Sequence, residues 1–438
     1  MQRLVLILFL VLLPLAAVCA ACEGCRSPAS NAPDGGRADG PATVRLYLVT
    51  DLAGALEPCG CVKDQLGGMD HFGALVTAER DKAKAAHVLA SGPLFFMDMQ
   101  LTDEKRTQEI AKAETIAASL GGLGLAGFAP GRNDWAAGAE TLSKLRDASR
   151  APLLASNLTG ESVPSTRWTI KEVGGLKLGV VGVAAPDKAT APLEGVASKE
   201  AAPAVREAVD ALKKEGAQAI VALAAVGRGE AKRIADAAPE LLAVVVGSPG
   251  GSGEANTKAA PAERVGDVLV VEAANHLQTV GVLDLYLRDA PASGLVRFDD
   301  ATGVEQVRKR EELSARIDDL RTKIAVWEKD KKIEARDLEA RRADLAKLEA
   351  ERDALGGLGS DDAIKARMLA FYKKVNEHNK VALADRKPRA PAKGEPGYVG
   401  IDTCTNCHEE PRAVWDKTQH AHAYKTLVDG FKEYNLDC

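Results

Sequence analysis

The chain has 438 residues, 46% of them hydrophobic and 27% charged, enough for more than one buried core. Its 57 basic and 62 acidic side chains leave a net charge of −5. That balance excludes the basic field that nucleic acid requires, so no nucleic-acid partner is expected.

Residues 1–21 read as a signal peptide: Arg3 supplies the charge, and Leu4 to Val18 form an apolar run too short to span a bilayer comfortably. Small residues precede Cys22, a pattern that resembles a bacterial lipobox, with Cys19 where Leu is usual. Lipidation at Cys22 is expected to anchor the chain to a membrane; Cys25 is a rival, and cleavage after Ala20 or Ala21 is the alternative. Residues 22–43 form a tether, rich in Pro, Gly, Ala, Ser and Asp from Ser27 to Pro41. The expected location is the cell envelope, as a periplasmic or outer-membrane lipoprotein.

Residues 44–300 alternate between strand and helix patterns. Strands are predicted at Val44 to Thr50, His87 to Ser91, Leu153 to Asn157, Leu176 to Val183, Ala219 to Ala225, Leu242 to Val246, Val268 to Ala273 and Thr279 to Leu287. Helices are predicted at Gly73 to Ala85, Glu104 to Leu120, Ala137 to Ala148, Ala201 to Lys214 and Gly229 to Ala237. Such alternation argues a layered α/β domain, with functional residues on the loops that follow strand C-termini.

Those loops carry a family resemblance. In order come Thr50-Asp51, then Ser91-Gly92-Pro93, then Gly131-Arg132-Asn133-Asp134-Trp135, then Ala155-Ser156-Asn157-Leu158. Gly175 to Gly182 and Val245-Val246-Gly247-Ser248 complete the series. From about Val44 to Arg288 the chain resembles the calcineurin-like metallophosphatases of the 5′-nucleotidase type. The resemblance implies a layered β-sandwich flanked by helices, with residual metal positions at Asp51 and Asn133. It also implies a His where Ala53 stands, a bridging Asp where Ser91-Gly92-Pro93 stands, and a catalytic His where Asp134 stands. Further His ligands belong at Leu223-Ala224-Ala225 and in Gly247-Ser248-Pro249-Gly250. Two hard cations need several carboxylates and imidazoles, so the divalent metals, and with them hydrolase activity, are expected to be lost.

Cys59-Gly60-Cys61 follows the first strand in a Pro-Cys-Gly-Cys loop ahead of Gly67-Gly68, similar to a group of bacterial metallophosphatase-like proteins; that resemblance implies redox or soft-metal chemistry. Cys59 and Cys61 are the candidate redox pair, the alternative being two buried thiols packed as small hydrophobes. Asp70 and His71 read as a helix start, His276 as part of a turn that could be recruited as a ligand, and His87 and His378 as structural.

Composition shifts after Arg288. Residues 304–385 form a charged helical region in which Leu313, Ile317, Leu320, Ile324 and Trp327, then Leu338, Leu345, Leu348 and Leu355, recur at coiled-coil spacing. A phase break near Asp330 favours an antiparallel hairpin over one long helix, with spacing or oligomerisation as the role. A further helix, Asp361 to Leu383, presents Ile364, Met368, Phe371 and Val375.

After a linker (386–397), residues 398–438 contain Cys404-Thr405-Asn406-Cys407-His408. Two thiols at this spacing can each add to a haem vinyl group while the adjacent imidazole reaches the iron. A redox dithiol and half a zinc site are the alternatives. Tyr398-Val399-Gly400, Trp415 and the His420-Ala421 pair make this segment resemble multihaem c-type cytochromes, which implies haem c bound by Cys404, Cys407 and His408. It also implies His420 as a second axial ligand, with His422 an extra candidate. A helical pattern runs from Thr418 to Tyr434. The sequence ends on Cys438, where such cytochromes begin another C-x-x-C-H, so the haem segment reads as truncated or as a remnant. The expectation is an exported electron carrier serving redox partner proteins. A periplasmic phosphoesterase and a coiled-coil scaffold are the competing classes.

Overall fold

In β1 (Ala42–Thr50), Val44, Leu46 and Leu48 face one side and Tyr47 and Val49 the other, all fully buried. Apolar residues on both faces of one strand mean that the sheet is covered from two sides. The computed structural model describes residues 41–59, 66–160, 165–184, 196–251, 253, 255–287, 295, 316–317, 319–328, 334–353 and 362–386. Beyond these it describes 392, 395, 397, 400, 403, 405 and 407–436. The expected signal peptide, Cys22, Cys25 and most of the tether therefore lie outside the described residues.

The first sheet has the order β14-β1-β4-β5, with β4 (Ala83–Gly92) and β5 (Leu125–Pro130) parallel to β1 and β14 (Gly281–Leu285) antiparallel to it. The second has the order β12-β13-β11-β10-β8-β7. Its parallel centre is β8 (Leu176–Val183), β10 (Ala219–Ala225), β11 (Ala243–Gly247) and β13 (Val268–Val271). Antiparallel β7 (Trp168–Val173) and β12 (Glu263–Val265) form its edges. Two short ribbons, β2 (Pro58–Cys59) with β3 (Leu66–Gly67) and β6 (Leu158–Thr159) with β9 (Ala197–Ser198), lie outside the main sheets.

The sheets face each other across a core of Val44, Leu46 and Leu89 from the first and Val180, Val221 and Val245 from the second. Helices α1 (Met69–Glu79), α2 (Asp103–Gly122) and α3 (Ala139–Ser149) belong with the outer core of the first sheet, and α4 (Ala201–Lys214) and α5 (Arg228–Ala237) with that of the second. The result is the expected sandwich flanked by helices. α4 shows the logic: Ala204, Val205, Ala208, Val209 and Leu212 recur at helical spacing and are all buried, while Lys213 and Lys214 favour its C-terminal dipole. Thr102 caps α2 by accepting the Lys105 N–H, and Asp103 and Glu104 occupy the first turn.

Several local expectations need correction. Leu153 to Asn157 makes only isolated bridges, Phe128 to Leu153 and Leu154 to Thr166, because the chain turns at Ser156-Asn157 instead of continuing along the sheet. The helix expected at Gly73 to Ala85 starts earlier, at Met69, and its last residues become a 3₁₀ turn (Arg80–Lys82) and the start of β4, where pairing with β1 overrides propensity. The Thr418 to Tyr434 pattern resolves into a 3₁₀ turn (Gln419–His422) and a short helix.

In the region expected as helical, residues 319–327 and α6 (Ala335–Asp353) are helical. Glu328 and Arg342 meet at 2.6 Å, and Arg341 stacks over Trp327. Fourteen residues of straight helix would hold such a pair about 21 Å apart, so residues 319–327 and α6 are not parts of one straight helix. α7 (Asp362–Ala382) sends Ile364, Met368, Phe371, Tyr372 and Val375 into the same core as α1 and α2. The C-terminal segment holds α8 (Glu409–Trp415) and α9 (Ala423–Asp429), neither of which buries a residue. Among the described residues no helix is long and apolar enough to cross a membrane.

Candidate functional site

The C-terminal ends of β1, β4 and β11 converge around Asp51. Asp51 sits just past β1 in a left-handed conformation (φ 49°). Its Oδ1 accepts the Ser248 N–H at 2.8 Å, its N–H donates to Ser91 O, and its carbonyl accepts the His276 N–H. Burial pushes the carboxyl up to about 7, against the pull of the Ser248 hydrogen bonds and with the Glu272 charge adding to the rise. The backbones close tightly here: a Cβ on Gly92 (φ 87°) would lie 2.0 Å from Asp51 Oδ1.

Asn133 and Asp134 lie in the 3₁₀ turn Arg132–Trp135 and are buried. The Asn133 amide nitrogen faces the carbonyls of Phe96 (3.2 Å), Met97 (2.6 Å) and Gly251 (2.9 Å), and its oxygen accepts the Gly251 N–H. Both oxygens of Asp134 are likewise taken, one by the N–H groups of Leu94 (2.9 Å) and Phe95 (2.8 Å), the other by Gly131 (3.0 Å). Burial pushes its carboxyl up to about 7 in spite of those three donors. Asn157 pairs both ends of its amide with Ala184, past the end of β8. Each of these polar side chains satisfies loop backbone that could not otherwise be buried.

The two loops beside Asn133 are tied together, Arg132 N–H to Pro249 O and Gly253 N–H to Met97 O. Leu94, Phe95 and Phe96 behind them are fully buried. Of the expected residual metal positions, Asn133 has both ends of its amide on loop backbone and Asp51 has Oδ1 on the Ser248 N–H. Ala53 and Pro93 offer no side-chain ligand, and among the described residues no group of three or more His, Cys, Asp or Glu could hold a metal ion. The residues present do not fit a two-metal centre.

His276 is fully buried in the turn expected for it, with φ 56°; its Nδ1 lies 3.1 Å from Asn256 Oδ1, and burial lowers its pKa. His87 is half-buried on Gly124 O, with its pKa also lowered by burial. Asp70 and His71 begin α1, as the sequence suggests. Cys59 ends β2 opposite Leu66, but its side chain and residues 60–65, Cys61 among them, lie outside the described residues. Thr50 and Ser248 enter the sequence reading only as parts of the loop blocks; their roles are local to the fold, the Ser248 backbone N–H donating to Asp51 and the Thr50 hydroxyl bonding both N–H and C=O of Ala273.

In the second candidate site, Cys407 is an exposed free thiol and His408, also exposed, is the N-cap of α8. Arg412 ties this turn together, donating to Thr405 Oγ1 and Asp416 Oδ1 and lying over the Trp415 ring. Cys404 and the side chain of His420 lie outside the described residues; His422 is exposed at the start of α9. Of the eleven large apolar side chains exposed among the described residues, five belong to this segment: Val414, Trp415, Tyr424, Val428 and Phe431. Two seven-residue helices cannot bury such groups by themselves. A reachable thiol and imidazole therefore stand on one turn, in a segment with uncovered apolar side chains.

No protein-family model and no curated protein matches the chain. Its structure is similar to the calcineurin-like phosphoesterase YfkN from Bacillus subtilis, at 18% identity, covering 57% of this chain and 86% of that one, with a TM-score of 0.47. A 5′-nucleotidase precursor from Thermus thermophilus is 20% identical, covering 58% and 53%, with a TM-score of 0.45. The NAD nucleotidase of Haemophilus influenzae is 20% identical, covering 55% and 52%, with a TM-score of 0.44. The chain spans about half the length of these two nucleotidases.

Proposed function

We propose that this chain is an exported c-type haem protein that passes electrons to redox partner proteins, and that its metallophosphatase-like α/β domain no longer works as a metal-dependent hydrolase. The observation that carries the reading is the C-x-x-C-H sequence, with Cys407 and His408 exposed at the head of a helix in a segment whose two described helices bury no residue. Cys404 and Cys407 would hold the haem through thioether bonds, with His408 as one iron ligand and His420 the candidate for a second. The uncovered Trp415 and Tyr424 supply apolar surface to exclude water from the ring. When bound, the haem supplies one-electron redox chemistry. Export follows the signal-like N-terminus, and lipidation at Cys22 would hold the carrier at a membrane.

Expressed in a host with c-type maturation, the protein is expected to keep its Soret absorption in the polypeptide fraction after acid–acetone extraction. His408→Ala is expected to lose the low-spin spectrum while the thioethers still form. Haem that extracts, or none, refutes the reading. The competing phosphoesterase would reveal itself as hydrolysis of nucleoside monophosphates that requires manganese or zinc and is lost in Asp51→Asn.

A further inference from the structure

The haem segment has no buried residue in α8 or α9, yet each residue from Phe431 to Leu436 is engaged by the α/β domain or by α7. Phe431 lies under the Lys373 ammonium, at 4.8 Å from nitrogen to ring centroid. Lys432 pairs with Glu57 and lies 4.5 Å over the Tyr372 ring. Glu433 accepts from Asn376 Nδ2 at 3.0 Å, and the Tyr434 N–H donates to Asn376 Oδ1 at 3.2 Å. The Tyr434 carbonyl accepts from Asn379 Nδ2 at 2.8 Å. Asn435 Oδ1 accepts from Gln108 Nε2 at 2.7 Å, and the Leu436 N–H donates to Gln108 Oε1 at 3.0 Å. Gln108 on α2 and Asn379 on α7 also bond to each other at 2.8 Å, and both are almost wholly shielded from solvent.

We propose that residues 431–436 are an intramolecular latch, read by the buried carboxamides of Gln108, Asn376 and Asn379, which docks the C-terminal segment at a fixed place on the α/β domain. Three carboxamides along one helix–helix seam are a costly choice for a surface that packs nothing, because buried amides without partners are destabilising. Here the tail backbone and the Glu433 and Asn435 side chains complete them, and one register satisfies all three. The Lys432–Glu57 pair adds direction, setting the latch beside the start of β2. For a haem held at Cys407 and His408, which rests on the proposed function, the consequence would be a carrier that presents its cofactor from one orientation.

The test needs no haem, so its failure is distinct from failure of the haem assignment. Amide hydrogen exchange of the full chain is read on peptides covering 431–436, where the N–H groups of Tyr434 and Leu436 are the reporters. The wild-type chain is expected to protect them. Asn435→Ala, a change in the tail that leaves the domain core intact, is expected to speed their exchange about ten-fold or more. Asn379→Leu should do the same from the other side, with exchange in β1 and β10 as the control for folding. Lys432→Glu should loosen the latch, and adding Glu57→Lys should restore it. Exchange of the wild-type tail at the rate of a free peptide, or tail exchange unchanged in Asn435→Ala, overturns the proposal.

Discussion

Replacing Asp134 by Ala separates a structural carboxylate from a catalytic one. The side chain is wholly buried and accepts three backbone N–H groups, from Leu94, Phe95 and Gly131. Alanine leaves all three without a partner in a place water does not reach. At about 1–3 kcal/mol for each buried unsatisfied group, offset by removing a carboxyl that is itself costly to bury, a loss of about 4 kcal/mol is expected. Asp134→Asn keeps an oxygen toward Leu94 and Phe95 and sets an amide nitrogen against the Gly131 N–H, so one contact turns repulsive and the loss is about 2 kcal/mol. Urea unfolding of the three proteins is the assay: the midpoints should fall in the order wild type, Asn, Ala, with similar slopes. An Ala variant within about 1 kcal/mol of wild type, or an Asn variant as damaged as Ala, refutes the reasoning.

The pH dependence of stability follows from the two raised carboxyls. Asp51 and Asp134 hold their protons up to about 7, while the unfolded chain releases them near 3.8, so their stabilisation is full below pH 3.8 and is lost as pH rises through 7. The thermal midpoint should therefore rise as pH is lowered from about 8 to 7, above the unfolded value of 6.5 below which His87 and His276, with lowered folded values, act in the opposite sense. A flat profile there would mean that the N–H donors outweigh burial. Two glycine substitutions should diverge in sign. Gly92→Ala meets Asp51 Oδ1 at 2.0 Å with φ 87° and should cost about 3 kcal/mol, whereas Gly229→Ala, inside α5 with nothing within 4 Å, should gain about 0.5–1 kcal/mol. Parallel denaturation curves measure both.

Much of the architecture was legible in local pattern. β8 and β10 match their predicted bounds, Leu176–Val183 and Ala219–Ala225, and so does α4, Ala201–Lys214. A strand buried on both faces must be continuously apolar, and an amphipathic helix must repeat near 3.6 residues, so the constraint is written along the chain. β5, Leu-Ala-Gly-Phe-Ala-Pro, was missed because its small residues carry weak strand preference and pairing with β4 supplies the rest. The absence of ligands at Ala53 and Pro93 was equally readable.

What Asn133, Asp134 and Asn157 do could not be read that way. In the sequence Asn133 looks like a survivor of a reactive site, Asp134 like the replacement of its His and Asn157 like part of a loop block; in the fold each is spent on backbone groups brought by other loops. Likewise the apolar stripe of α7 marked a helix that needed a partner without saying which, and Gln108 gave no hint of Asn435, 327 positions away. Local preference records how a residue shapes its own segment. The partner that completes a buried amide or carboxylate is chosen only when distant segments meet, since a hydrogen bond is decided by distance and direction and not by residue type.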